Sequence, residues 1–287
     1  MTPTTTAPAR QRRRDRLTRF GFFAVLITTI IAVVYPLYWM LMGSLAPEGY
    51  TMANSPLLFP ESFSLDAYRN LLARKPMLLW IWNTIVVTVA ATAVTLPLSI
   101  LAAYALNRYR FRGRMPTIYF ILLTQLLPAS ALIVPLFIIF RGMGLLDSLV
   151  GITIAYTSFT MPLAIWVLWG YLQGIPFDFE EAALVDGCTQ LGAFVRVTLP
   201  LAVPGVAATS LFIFLESWNH YLLALVLTSS ARNWVISLGL FSFIGEYVVE
   251  VEQMLAASVI TVIPAFLLFF VMQRFLRGGL ALGGMKG

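Results

Sequence analysis

Glu216, Trp218, Asn219 and His220 crowd into five consecutive positions inside one long apolar run. Their types suit a polyhydroxylated ligand such as a sugar. Apolar ring C–H faces stack on an indole, while carboxylate, amide and imidazole make directed hydrogen bonds with hydroxyls. A carboxylate in the middle of a membrane span costs roughly 3 kcal/mol on insertion scales unless it faces protein or water, so Glu216 needs a hydrated path or a partner. His220 lies four residues on, along the same helix face, and a self-satisfied structural pair is the competing reading. Other chemistry is thinly supplied. Lys75 and Lys286 are the only lysines, and neither ends a glycine-spaced phosphate loop, so nucleotide hydrolysis is expected on another chain. With one histidine, one cysteine (Cys188) and no GxSxG elbow, no hydrolase or metal constellation can be drawn. The chain is therefore expected to be no enzyme by itself and to hold no cofactor or metal.

The elements that position these residues must be membrane helices. At 59% hydrophobic and 11% charged over 287 residues, the chain is too apolar for a water-soluble domain. Six runs, about 20–42, 82–106, 117–140, 150–172, 203–228 and 255–275, can each cross roughly 30 Å of hydrocarbon. Only helices or closed barrels satisfy the backbone in lipid, so the expectation is an all-α membrane protein with six transmembrane helices. Arginines at 10, 12, 13, 14, 16 and 19, and again at 108, 110, 112 and 114, mark those segments as cytoplasmic. An even number of spans returns Arg274, Arg277 and Lys286 to that side, with Arg196, so both termini are expected in the cytoplasm. The net charge of +6 thus reads as membrane orientation and not as nucleic-acid binding. In the outer connection from Leu45 to Ile81, Pro47, Pro56, Pro60 and Pro76 predict an irregular path with a short helix near Leu65 to Leu72. Trp80, Trp82 and Trp234 read as headgroup-level anchors. Pro97, Pro128, Pro135, Pro162 and Pro264 should kink or break their spans. Asn83, Thr84, Thr124, Gln125 and Tyr156 read as helix–helix hydrogen-bonding groups.

One polar segment stands apart, Ile175 to Pro204, between the fourth and fifth runs. Asp178 followed by Glu181 reads as an N-cap with its reciprocal carboxylate. Ala182 and Ala183 keep one helix side thin, and Gly187 is placed to end the helix with positive φ. Thr189 can cap a second short helix running to about Val197, with Pro200 as its stop. The product is a helix–turn–helix outside the bilayer.

Glu181, Ala182, Ala183 and Gly187, with Val197, Leu199 and Pro200 beyond them, resemble the EAA loop of bacterial binding-protein-dependent ABC importer permeases. Asp186 falls inside the same loop. The resemblance extends to YPLYWMLMGSLAP, PLFIIFRGMGLLDS and SWNHYLLALVLT and covers nearly the whole chain. It is nearest to the second, smaller permease of the carbohydrate, maltose-type class, and implies a type I importer fold in the bacterial cytoplasmic (inner) membrane. By that resemblance residues 1–19 are a basic cytoplasmic tail. Residues 20–275 are the six-helix permease domain, with a core from about 82 and a coupling loop at 173–202, and residues 276–287 are a glycine-rich cytoplasmic tail. The implied partners are a second permease subunit, two cytoplasmic ATPase subunits that hold ATP and magnesium, and an extracytoplasmic sugar-binding protein, with a sugar as substrate. The coupling loop would dock on the ATPase. Glu216, Trp218, Asn219 and His220 would line the sugar path, and Gly283, Gly284, Met285, Lys286 and Gly287 would reach into the ATPase dimer. Glycine richness predicts that this tail is no stable helix alone. Related permeases carry Asn-Glu or Asn-Asp where this chain has Asn219-His220. A self-sufficient ion-coupled secondary transporter is the alternative, and it would call for inverted repeats around an ion site.

Overall fold

The computed structural model describes residues 9–47, 59–60, 62–243 and 251–283, and every regular element among them is helical. The order is α1 (Ala9–Ser44), α2 (Asp66–Arg74), α3 (Met77–Arg108), α4 (Arg114–Thr124), α5 (Ala129–Gly142) and α6 (Leu149–Gln173). Then come α7 (Asp178–Val185), α8 (Gln190–Ala193), a π-helical turn Phe194–Thr198, α9 (Leu199–Leu201), α10 (Val203–Asn219) and α11 (Tyr221–Leu227). A 3₁₀ turn Ala231–Asn233, α12 (Ile236–Phe241) and α13 (Val251–Gly283) complete the chain. The helices divide into two compact units, one holding α1, α2 as far as Leu71 and the first turns of α13, the other holding the rest.

In the first unit the end of α1 is tied to α2, with the Ser44 and Tyr68 hydroxyls 2.8 Å apart and the Ser64 N–H donating to the Leu45 carbonyl. The short outer helix expected near Leu65 is α2. The basic N-terminal stretch, expected as a tail to residue 19, is helical from Ala9 and continuous with the first span.

The second unit is built on α3 against α6, with α10 laid across both. Buried Ala91, Ala103, Ala155 and Ala164 let these backbones approach closely, which in a bilayer is the main source of helix association. At 25 residues α6 is about 37 Å long, enough to cross the hydrocarbon. Two glycines remove side-chain bulk at contacts: a Cβ on Gly205 would overlap the Tyr171 ring, and one on Gly239 the Trp80 ring.

Among the described residues four helices are long and apolar enough to span singly, and the number rises to six if each of two bent pairs, α4–α5 and α8–α9 with α10, is one span. The third run, expected as one helix over 117–140, is α4 and α5, bent by 95°. Pro128 causes the break: it has no N–H to continue α4 and holds the extended φ −63°, ψ 126° that starts α5. The fifth run breaks at His220, whose φ −74°, ψ 95° separates α10 from α11. By contrast α3, α5, α6 and α13 continue through Pro97, Pro135, Pro162 and Pro264, so proline alone does not set the breaks.

Trp80 is not an interfacial anchor. It is 1% exposed, tilted against Trp234, and its indole N–H donates to the Ala231 carbonyl at 2.8 Å. Trp82 is 62% exposed. Asn83 donates to the Arg232 and Trp234 carbonyls, and Thr84 accepts from the Ile236 N–H at 2.7 Å, so these polar residues lock the outer loop onto α3. Thr124, expected to bond across helices, instead donates within α4 to Ile121.

The glycine-rich stretch expected to resist helix formation is helical through Gly278 and Gly279 to Gly283. Each glycine costs about 1 kcal/mol against alanine. The long span preceding them has already met the nucleation cost, so extension gains one hydrogen bond per residue fixed. Gly284, Met285, Lys286 and Gly287 lie outside the described residues.

Between α5 and α6, Asp147 holds φ +50° and clamps the loop after α11. Its Oδ1 accepts from the Ser229 N–H, the Ser230 N–H and the Ser230 hydroxyl at 3.1, 3.0 and 2.9 Å, and its carbonyl accepts from Asn233. These donors, the Ser230 backbone first, hold the carboxyl below its ordinary value of 3.8. A depressed carboxylate pKa contributes stability above the unfolded value and loses it as pH falls through the folded value. Asp147→Asn should therefore lower the melting temperature in detergent at pH 7, with the gap to wild type closing below about pH 4. A gap that stays constant to strongly acid pH would show that the charge is not what the clamp uses.

Candidate functional site

Glycine ends α7 as the sequence requires. Gly187 has φ +90°, its N–H donates to the Leu184 carbonyl at 3.1 Å, and the Cys188 N–H donates to the Ala183 carbonyl at 2.9 Å. This pair of bonds is a Schellman motif, which satisfies the last carbonyls and turns the chain toward α8. Thr189 then caps α8, accepting from the Gly192 N–H at 3.1 Å.

Two local expectations fail. Asp178 is the first residue inside α7 and not its cap; Phe177 occupies the cap position with helical φ −67°, ψ −24° and no side-chain cap bond. The acidic residues of the first turn, Asp178, Glu180 and Glu181, still complement the helix dipole. Glu181 makes no reciprocal capping bond because its carboxylate turns toward Arg108. Pro200 does not stop the second helix either. The π turn at Phe194–Thr198 widens the ladder, the Leu199 N–H pairs with Phe194, and the chain stays helical to Leu201 before bending by 74° into α10.

The anchor beneath this loop is Glu180, the neighbour of the motif glutamate. Its carboxylate is buried and saturated: the Tyr104 hydroxyl donates to Oε1 at 2.5 Å, the Thr198 hydroxyl donates to Oε2 at 3.1 Å, and Arg108 Nε lies 3.3 Å from Oε1. Arg108 also reaches Glu181 at 3.8 Å and covers the Phe177 ring. One carboxylate thus joins the end of α3 to both halves of the helix–turn–helix. Around it Tyr104, Phe194, Leu168 and Leu172 form an apolar cluster against which Leu199 packs. Buried Ala183 leaves room for α7 to sit close; Ala182, Asp186 and Pro200 are exposed, and Val197 is half-buried.

Away from this anchor the loop carries exposed apolar side chains among its polar ones: Val185 is 87% exposed, Leu191 69% and Phe179 55%. The loop is thus pinned on one side by ionic bonds and leaves hydrophobic side chains exposed elsewhere.

The second candidate group separates into two faces. Glu216 and Asn219 are exposed on α10, where Asn219 donates to its own helix at Leu215. Trp218 is 3% exposed and stacked on Phe214 at 5.5 Å, so it is core packing and offers no open ring for a ligand. His220 stacks on Tyr156 at 5.2 Å with Phe159 edge-on, and its carbonyl, freed by the helix break, accepts from Tyr156 at 2.5 Å and Ser237 at 3.3 Å. No ion pair between Glu216 and His220 is present among the described residues.

Tyr104, Arg108, Glu180 and Thr198 were missed in the sequence. Arg108 reads there as a topological charge. The available signal is that Glu180 lies three residues before Ala183, on the face of α7 that has to be buried.

Comparison with known proteins agrees with this geometry. Residues 95–281 match the family model described as binding-protein-dependent transport system inner membrane component. The chain is 33% identical to the diacetylchitobiose uptake system permease protein DasC of Streptomyces coelicolor, covering 91% of this chain and 95% of that one. It is 30% identical to the trehalose/maltose transport system permease protein MalG of Thermococcus litoralis, covering 96% and 99%. A solved bacterial ABC transporter involved in import of the acidic polysaccharide alginate superposes with TM-score 0.77 at 26% identity, covering 95% of this chain and 99% of that one. A motif-bearing loop braced on α3, four to six apolar spans among the described residues and these likenesses over nearly the full length converge, and the chain belongs to the family of binding-protein-dependent transport system inner membrane components.

Proposed function

We propose that this chain is one of two permease subunits of an ATP-driven importer for a sugar or oligosaccharide. It lies in the bacterial cytoplasmic membrane with both termini cytoplasmic, forms half of the translocation path, and couples through its α7–α9 loop to a separate ATPase that holds ATP and magnesium. An extracytoplasmic sugar-binding protein delivers the substrate. The observation that carries the coupling role is the loop's two-sided build, with Glu180 fastened to α3 and Val185, Leu191 and Phe179 open for docking. Arginine clusters at the same end of α3 and α4 support the cytoplasmic side. A carbohydrate substrate is supported by the relatives named for diacetylchitobiose, trehalose and maltose. On the path side, exposed Glu216 and Asn219 would line the sugar route beside a second permease.

The test of coupling is Gly187→Val. A β-branched residue at φ +90° is strained although no atom lies near the new Cβ, so the loop's bend should distort without a packing clash. The purified importer is expected to lose most substrate-stimulated ATPase activity while this chain still inserts. Normal assembly with normal stimulation would remove the loop from the coupling role.

A further inference from the structure

Beside the loop, a cleft of about 420 Å³ opens between the ends of α3 and α4, lined by Asn107, Arg108, Arg110, Arg114, Gln173 and Glu181 with Phe177. Three guanidinium groups face one carboxylate there, and Arg108 alone is engaged with Glu180 and Glu181. Arg110 makes no ion pair among the described residues, and the Nε of Arg114 is buried without a hydrogen-bond partner. Arg114 also opens α4; its own N–H donates to the Phe111 carbonyl at 3.3 Å and Pro116 has none, while the cap residue Gly113 has no side chain and the first turn holds no acid. An unfilled guanidinium Nε, surplus positive charge and the positive end of a helix dipole therefore meet in one cleft, and each favours an anion.

We propose that this cleft binds the phosphate of an anionic phospholipid headgroup. The shared chemistry is a phosphate group, and lipid is favoured as its source because the cleft lies where two apolar helices end. Tyr109, Phe111 and Met115 are about half exposed beside it, where acyl chains and glycerol would lie. Guanidinium groups suit phosphate because they donate in pairs, and the cleft is large enough for a headgroup. Arg108 contacts both the cleft and Glu180, so the bound lipid borders the loop that we assign to coupling. Only the leaflet, the ATPase-facing one, rests on that assignment; the site itself does not.

The full-length chain, purified in detergent and put into vesicles of phosphatidylcholine alone or with phosphatidylglycerol, provides the test, with retained lipid counted by native mass spectrometry. Wild type should retain phosphatidylglycerol preferentially, and the double variant Arg110→Gln/Arg114→Gln should lose that preference by roughly ten-fold or more, at about one basic residue's attraction each. Arg110→Lys/Arg114→Lys should keep part of it. Arg112→Gln, on the same turn but outside the cleft, should keep all of it, which separates a site from general attraction to a basic surface. Equal melting of wild type and the Gln variant in phosphatidylcholine checks that folding is intact. Protection by inorganic phosphate with no lipid preference would support the phosphate site and overturn lipid as its source. Lipid retention unchanged in the Gln double variant overturns the proposal. So does loss of ATPase association in both vesicle types with lipid retention intact, since the arginines would then hold a protein.

Discussion

Glu180→Ala in the assembled importer is expected to abolish most transport and substrate-stimulated ATP hydrolysis, a larger effect than the same change at the motif residue Glu181. Removing one partner of a buried ion pair costs about 3–5 kcal/mol, because the other charge stays behind unpaired. Here the stranded groups would be Arg108 and the Tyr104 and Thr198 hydroxyls. Arg108 retains some exposure toward the cleft, with 15% of its side-chain surface accessible, so the lower end of that range applies. Glu181 by contrast is 63% exposed on its side chain and 3.8 Å from Arg108, a geometry worth at most about 1 kcal/mol. Tyr104→Phe removes one hydrogen bond and should cost about 1 kcal/mol. The loss should be local: hydrogen exchange of α7 and α8 rises while that of α6 stays unchanged. A double-mutant cycle between Glu180 and Arg108 that returns simple additivity would show that the two do not act as a pair.

Trp218→Ala is expected to behave as a core truncation and not as loss of a ligand contact. Deleting a buried aromatic costs about 3–5 kcal/mol through the cavity it leaves, and here Phe214 also loses its stacked neighbour. Thermal unfolding in detergent should shift strongly downward, and Trp218→Phe should recover much of it. Glu216→Gln, on the exposed face of the same helix, should leave the melting temperature within experimental spread and show its effect in transport rate. If Trp218→Ala melts like wild type while half-saturation for the sugar rises, the ring serves the ligand and the burial argument fails. The pair of variants thus separates the two faces of α10 by different readouts.

In the proposed coupling role the loop meets two opposite demands. A docking surface would have to stay open in the isolated subunit, which costs stability, and it would have to transmit force, which requires stiffness. The ionic and hydroxyl bonds under α7 supply stiffness without covering Val185 or Leu191. The Schellman turn at Gly187 places the second helix so that Thr198 returns to Glu180, closing the loop on itself.

The amino-acid sequence by itself determined the class, the number of apolar runs, the glycine turn and the Thr189 cap, because each depends on composition or on contacts within a few residues. Hydropathy needs no neighbour to be read, and neither does a positive φ that only glycine adopts freely. What the tertiary structure alone decided depends on distant partners. Glu180 and Glu181 are adjacent and identical in type, yet one is buried and the other exposed, because only the end of α3 supplies Tyr104 and Arg108. The same competition for carboxylates cancelled the capping box expected at Asp178. Trp80 and Trp218 left their expected surfaces because Ala231 and Phe214 lay within reach of a hydrogen bond and a stack. Prolines broke the chain at Pro128 but not at Pro97, Pro162 or Pro264, since neighbouring helices decide whether a freed carbonyl is tolerated or a new direction is taken.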